Sequence, residues 1–170
     1  MDFLKRISIF IVSAVILGNL FAHAASAALS EEQKDAIVTN CSHIQQSLVK
    51  LQYADSRTRT YLGSPYETII SKFITPLNVR LVKNNKVSNE LFQIQNEFVE
   101  AQANFRSDYI DYMRELEATI ATDCATHPDD FYAKLEKARA SRDKLRKVTK
   151  TLSGLADRQY AAVQKLLESI

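Results

Sequence analysis

From residue 30 onward, apolar side chains recur at alternating steps of four and three. Ile37, Cys41, Ile44, Leu48 and Leu51 mark the first such seam, the repeat that places one helical face against a partner helix. Ser30-Glu31-Glu32-Gln33 ahead of it has the form of a capping box, so the first helix is expected to begin there. The same register continues through Asp55, Thr58 and Leu62, which puts a carboxylate where an apolar residue belongs. Gly63-Ser64-Pro65 predicts a break, and Ser64-Pro65-Tyr66-Glu67 predicts a restart with Pro at the first helical position. The stripe goes on as Tyr66, Ile69, Ile70, Phe73, Leu77 and Leu81, so Pro76 is expected to kink this piece without ending it.

Lys83-Asn84-Asn85-Lys86 reads as a polar turn and Ser88 as the cap of the next helix. Leu91, Phe98, Phe105, Tyr109, Tyr112, Leu116, Ile120 and Cys124 form its apolar face, with Gln102 as the polar member. His127-Pro128 closes this helix and opens the last. There, Phe131, Leu135, Ala138, Arg142, Leu145, Thr149, Leu152, Ala156, Tyr160, Val163, Leu167 and Ile170 hold the seam, with Gly154 the weak point. The pattern is all-α throughout.

Composition narrows the picture further. Three glycines and three prolines in 170 residues are too few for the frequent turns of a sheet protein. A 46% hydrophobic content with a formal charge of +2 argues against disorder. Lys5 and Arg6, the apolar run Ile7 to Leu17 and the small residues Ala22, Ala24, Ala25 and Ala27 read as a signal peptide over residues 1–27. Cleavage after Ala24 also fits. An uncleaved anchor fits less well, because Gly18 and Asn19 interrupt a run shorter than the roughly 20 residues of a membrane span. Residues 28–170 are then expected to form a single helical-bundle domain, with no transmembrane span, in the periplasm or outside the cell.

In that setting Cys41 and Cys124, the two cysteines of the chain, are expected to form one disulfide. A metal site built from Cys41, His43, Cys124 and His127 is disfavoured, since side chains two apart on a helix point to nearly opposite faces. At about 1.5 Å per residue, Cys41 to Lys83, Cys124 back to Ser88, and Pro128 to Ile170 make three arms of about 63, 54 and 63 Å. A disulfide then implies an elongated antiparallel three-arm bundle whose first arm is kinked at Gly63–Pro65. A strict four-helix bundle is the alternative, and it would hold the two cysteines tens of ångströms apart.

Charge is unevenly spread. Residues 90–130 carry ten acids against Arg106 and Arg114, whereas residues 131–150 carry eight bases against Glu136 and Asp143. The basic run 134–150 has the composition of a polyanion-binding segment. Because its arm folds back on the acidic one, the expectation is that pairing across the hairpin uses most of it, and no nucleic-acid partner is expected.

Catalytic patterns are missing from the sequence: no H-E-x-x-H, G-x-S-x-G or phosphate-binding glycine loop occurs. Cys124 with His127 would lose its nucleophile to the disulfide. No cofactor, no metal and no enzymatic activity are expected. The polar constellation that stands out is in the seam, where Asp55, about 21 Å from the disulfide, is level with Tyr109, Tyr112 and Arg142. Asp55 is expected to pair with Arg142 while a tyrosine completes the layer, fixing the register of the arms. The alternative is a small binding site inside the bundle. The expected function is an exported, non-enzymatic scaffold or interaction protein of the cell envelope or extracellular space, working through a protein partner or self-association. A holdase-like extracytoplasmic chaperone is the alternative.

Overall fold

The computed structural model describes residues 29–168, so the segment read as a signal peptide and the last seam residue, Ile170, lie outside the described residues. The helical bundle is the compact unit Glu32–Ile170. Helix α1 spans Glu31–Thr39, α2 spans Cys41–Thr68, a π-helical turn spans Ile69–Ile74, and α3 spans Thr75–Lys83. Helix α4 is Asn89–Ile120, and α5 is Pro128–Glu168. Among the described residues there is no strand.

Helices α1 to α3 make up a single bent arm. At Asn40 the backbone departs to φ −101°, yet Asn40 N still donates to the Ala36 carbonyl and Ile44 N to that of Asn40. Gly63-Ser64-Pro65 does not break the chain, contrary to the sequence reading, and Ser64 starts no new helix: α2 runs through all three. Pro65 forgoes one backbone bond, worth about 3 kcal/mol with its ring clash. Beyond it, however, Tyr66, Ile69 and Ile70 pack on the core, and each such side chain returns up to about 1.5–3 kcal/mol by leaving water.

The irregularity falls instead just before Pro76. That proline has no N–H, and in an α-helix its ring would collide with the carbonyl four residues back, that of Lys72. Widening Ile69–Ile74 into a π turn opens the spiral there and inserts about one residue. The inward position therefore shifts by one at this turn, and the stripe is back on its expected residue by Leu81. Phe73, placed in the apolar stripe by its spacing, is 65% exposed, while Ile74 is 1% exposed and Asn78 and Leu81 follow it inward.

Chain reversal after α3 is a Schellman closure: Asn85 takes a positive φ of 54°, Lys86 N donates to Leu81 O, and Asn85 N to Val82 O. Ser88 then caps α4 by accepting from Leu91 N. Helix α4 ends at Ile120, earlier than the spacing through Cys124 implied, because side chains there take over the backbone. Asp123 accepts from Ala125 N and from the Thr126 hydroxyl, a local turn that competes with helix. Cys124 sits in that turn, fully buried, and is disulfide-bonded to Cys41 with 5.5 Å between their Cα atoms. The tie rules out the strict four-helix alternative and leaves three arms.

The core is divided in two. Near the disulfide, Leu48, Tyr112, Leu116 and Phe131 pack together with the two cysteines. Toward the far end, Ile74, Leu91, Ile94, Phe98, Phe105 and Leu152 form a second cluster, and Leu145 touches both. The seams differ in detail from the spacing: Ala101, not Gln102, is buried on α4, and past Gly154 the stripe of α5 follows Leu155, Gln159 and Ala162 while Tyr160 and Leu167 are exposed. A step of three after Leu152 keeps the heptad, where a step of four would drift off the seam.

Charge pairing across the hairpin is also sparser than expected. Among the described residues, α4 and α5 are joined by Glu97–Arg158 and Glu90–Lys165. Within the basic run, Lys134, Arg139 and Arg146 pair with acids of their own helix, and Arg142 turns to the first arm. The run is thus not consumed by the acidic arm.

Candidate functional site

Between the two core clusters the seam turns polar. Asp55, fourteen residues into α2 counting from Cys41, lies about 21 Å along the helix from the disulfide. Its Oδ2 accepts from the Tyr112 hydroxyl at 2.6 Å and from Arg142 Nε at 2.9 Å, while Oδ1 accepts from Arg142 Nη2 at 3.1 Å. This is a two-pronged guanidinium–carboxylate pair with a phenol added. One residue from each of the three arms meets in the layer.

Electrostatics follow from this geometry. Burial, and then the hydrogen bond to Asp55, hold the Tyr112 phenol well above the ordinary tyrosine value of 10.0, so the hydroxyl stays a donor. The Asp55 hydrogen bond raises Arg142, which remains a cation throughout. The fourth residue read into the layer, Tyr109, does not join its hydrogen bonds. The residue is 6% exposed, and its ring carries the Arg59 guanidinium 4.7 Å from its centroid, close enough for cation–π attraction. Burial raises the Tyr109 phenol against the opposing effect of Arg59.

Next to the layer a groove of about 530 Å³ opens between the first arm and α5. Asp55, Arg59 and Tyr66 line it from one side, Phe105 and Tyr109 from α4, and Arg142, Leu145, Arg146 and Lys150 from α5. Arg59 and Lys150 are site residues that the periodicity did not pick out, since both are exposed and off the seam. A signal was nonetheless present: Asp55 and Thr58 occupy successive seam positions, where large apolar side chains would otherwise fill the space between arms, with Gly63 close behind.

Neither cysteine is available as a ligand or nucleophile, because both are in the disulfide. His127 Nδ1 lies 2.7 Å from the Thr126 hydroxyl. Among the described residues no group of three or more His, Cys, Asp or Glu is placed to hold a metal ion, and no helix is long and apolar enough to cross a membrane. The class of protein defined by this architecture is a disulfide-tied all-α bundle. No known protein family, no curated protein and no solved structure matches the chain.

Proposed function

We propose that this chain is an exported, non-enzymatic helical scaffold or interaction module that engages a protein partner through its first arm. The observation carrying this reading is the concentration of large exposed apolar side chains there. Tyr53, Tyr61 and Phe73 are 66%, 79% and 65% exposed, and Val49, Val79 and Val82 are exposed on the same arm. Aromatic side chains of this kind dominate protein contacts. Export is supported by the disulfide, which persists in oxidising compartments, and by the signal-peptide pattern of residues 1–27.

The test is in-cell cross-linking in the native envelope, with Tyr61→Ser and Phe73→Ser together as the variant. A discrete cross-linked species that the variant loses supports the module, and its persistence in the variant refutes the first arm as the contact. Free thiols in a non-reducing maleimide assay would refute export. The exposed aromatics also favour the holdase reading, which is separated by one measurement. A scaffold leaves the aggregation of heat-denatured clients unchanged, whereas a holdase suppresses it.

A further inference from the structure

The groove beside the Asp55 layer has a chemistry that neither register nor partner docking requires. Its floor is apolar, made by Tyr66, Phe105 and Tyr109, and its volume of about 530 Å³ falls within the range of about 300–1,000 Å³ typical of small-molecule sites. Asp55 is the one acid among its described lining residues, and that carboxylate is taken up by Tyr112 and Arg142. The remaining cations face the opening with little to neutralise them. Arg59 and Lys150 are in no ion pair among the described residues, and Arg146 has only an exposed pair with Asp143 on its own helix, which is worth little.

A further donor lies beside them. Tyr109 is nearly buried as a residue, but its hydroxyl, which makes no hydrogen bond among the described residues, is not itself a buried atom left without a partner, so it is open to solvent. Its phenol is raised by that burial, so it keeps its proton across the physiological range. The hydroxyls of Thr58 and Thr149, by contrast, donate to the Ala54 and Leu145 carbonyls of their own helices. Rings below and cations with one phenolic donor at the rim select for a flat apolar body bearing an acidic group. We infer that the groove binds a small aromatic anion, its ring against Tyr66 and Phe105 and its acid group between Arg59, Lys150 and the Tyr109 hydroxyl.

The probe is 8-anilinonaphthalene-1-sulfonate, an aromatic anion that fluoresces on desolvation, set against N-phenyl-1-naphthylamine, the same body without the sulfonate. The full disulfide-bonded chain is titrated with each, with sedimentation velocity run at the same concentrations. Saturable binding of the sulfonate is expected, weakened by about tenfold or more in Arg59→Gln/Lys150→Gln, the equivalent of about 1.4 kcal/mol. Binding of the uncharged probe is expected to stay unchanged. Lys150→Glu, an exposed substitution on α5, is the independent variant and should weaken the sulfonate alone. Equal retention or equal loss of both probes overturns the inference, as does sulfonate binding that disappears when the chain self-associates, since the groove would then belong to a second copy. Unchanged helicity and melting temperature of the variants by circular dichroism separate lost binding from lost fold.

Discussion

Asp55 accepts three hydrogen bonds from two side chains that come from different arms, so each partner's removal leaves a different residue of cost. Tyr112 is 1% exposed, and without its acceptor the hydroxyl has nowhere else to turn. Asp55→Asn is therefore expected to destabilise the bundle by about 1–3 kcal/mol and Tyr112→Phe by about 0.5–1.5 kcal/mol. In a double-mutant cycle by urea denaturation, the two should couple by about 1 kcal/mol or more. Additive effects would show that the bond contributes nothing. Replacing the whole layer with Asp55→Leu, Tyr112→Phe and Arg142→Met is expected to leave stability equal or higher, as for other partly buried ion pairs. A register device predicts that this variant then populates more than one arrangement of the arms, visible as exchange broadening in its amide spectrum.

Tyr112 also sets an alkaline limit. Its folded-state value is raised above the 10.0 of a free phenol, so between those two values the unfolded chain gives up a proton that the folded chain keeps. The stabilisation is complete below about pH 10 and declines as pH rises through the folded value. Urea midpoints should accordingly fall above pH 10, and fall less steeply in Tyr112→Phe. An identical decline in the variant would assign the effect to other groups.

At the scale of elements, two glycines inside helices offer a clean test of backbone entropy against packing. An added Cβ at Gly154 meets nothing within 4 Å, and one at Gly63 meets Phe105 Cε1 at 3.6 Å, an ordinary contact. Both Gly→Ala substitutions should stabilise the fold by about 0.5–1 kcal/mol, read as a shift in denaturation midpoint. Loss of stability at Gly63 would mean that the first arm cannot tolerate a filled contact with α4. The π turn shows the same competition from the other side. Pro76 imposes a local cost, and the arm answers by widening over Ile69–Ile74, which keeps Ile74 and Leu81 in the core at the expense of exposing Phe73.

For the molecule as a whole, the disulfide closes a loop of 83 residues in separation and so restricts the unfolded chain strongly. The loop-entropy relation places its contribution at about 4–5 kcal/mol, and native disulfides removed from small domains typically cost about 2–5 kcal/mol. Cys41→Ala/Cys124→Ala is expected to lose that stability while retaining its helical circular dichroism, because the two core clusters persist without the tie. A double variant as stable as the parent would show that the tie adds no net constraint. The split core makes the middle of the bundle, at Asp55 and the groove, the place where the arms can separate at least cost.

Much of this molecule was legible from its residues alone. Alternating steps of three and four identify the helices, because only a spiral of about 3.6 residues per turn gathers such positions on one face. The two cysteines and nearly equal arm lengths then lead to a three-arm layout, and Asp55 and Arg142 can be matched by counting rise along the arms. What the pattern could not reach depended on competition between distant parts. Whether Gly63-Ser64-Pro65 breaks a helix is decided by how much apolar surface lies buried beyond it, and where a proline's strain is absorbed is decided by the neighbouring arm. The partners of the basic run, and the groove lined by Arg59, Tyr109 and Lys150, arise from how the arms are spaced and turned. Periodicity records which face is buried, but the distance between buried faces is set only when all three arms pack together.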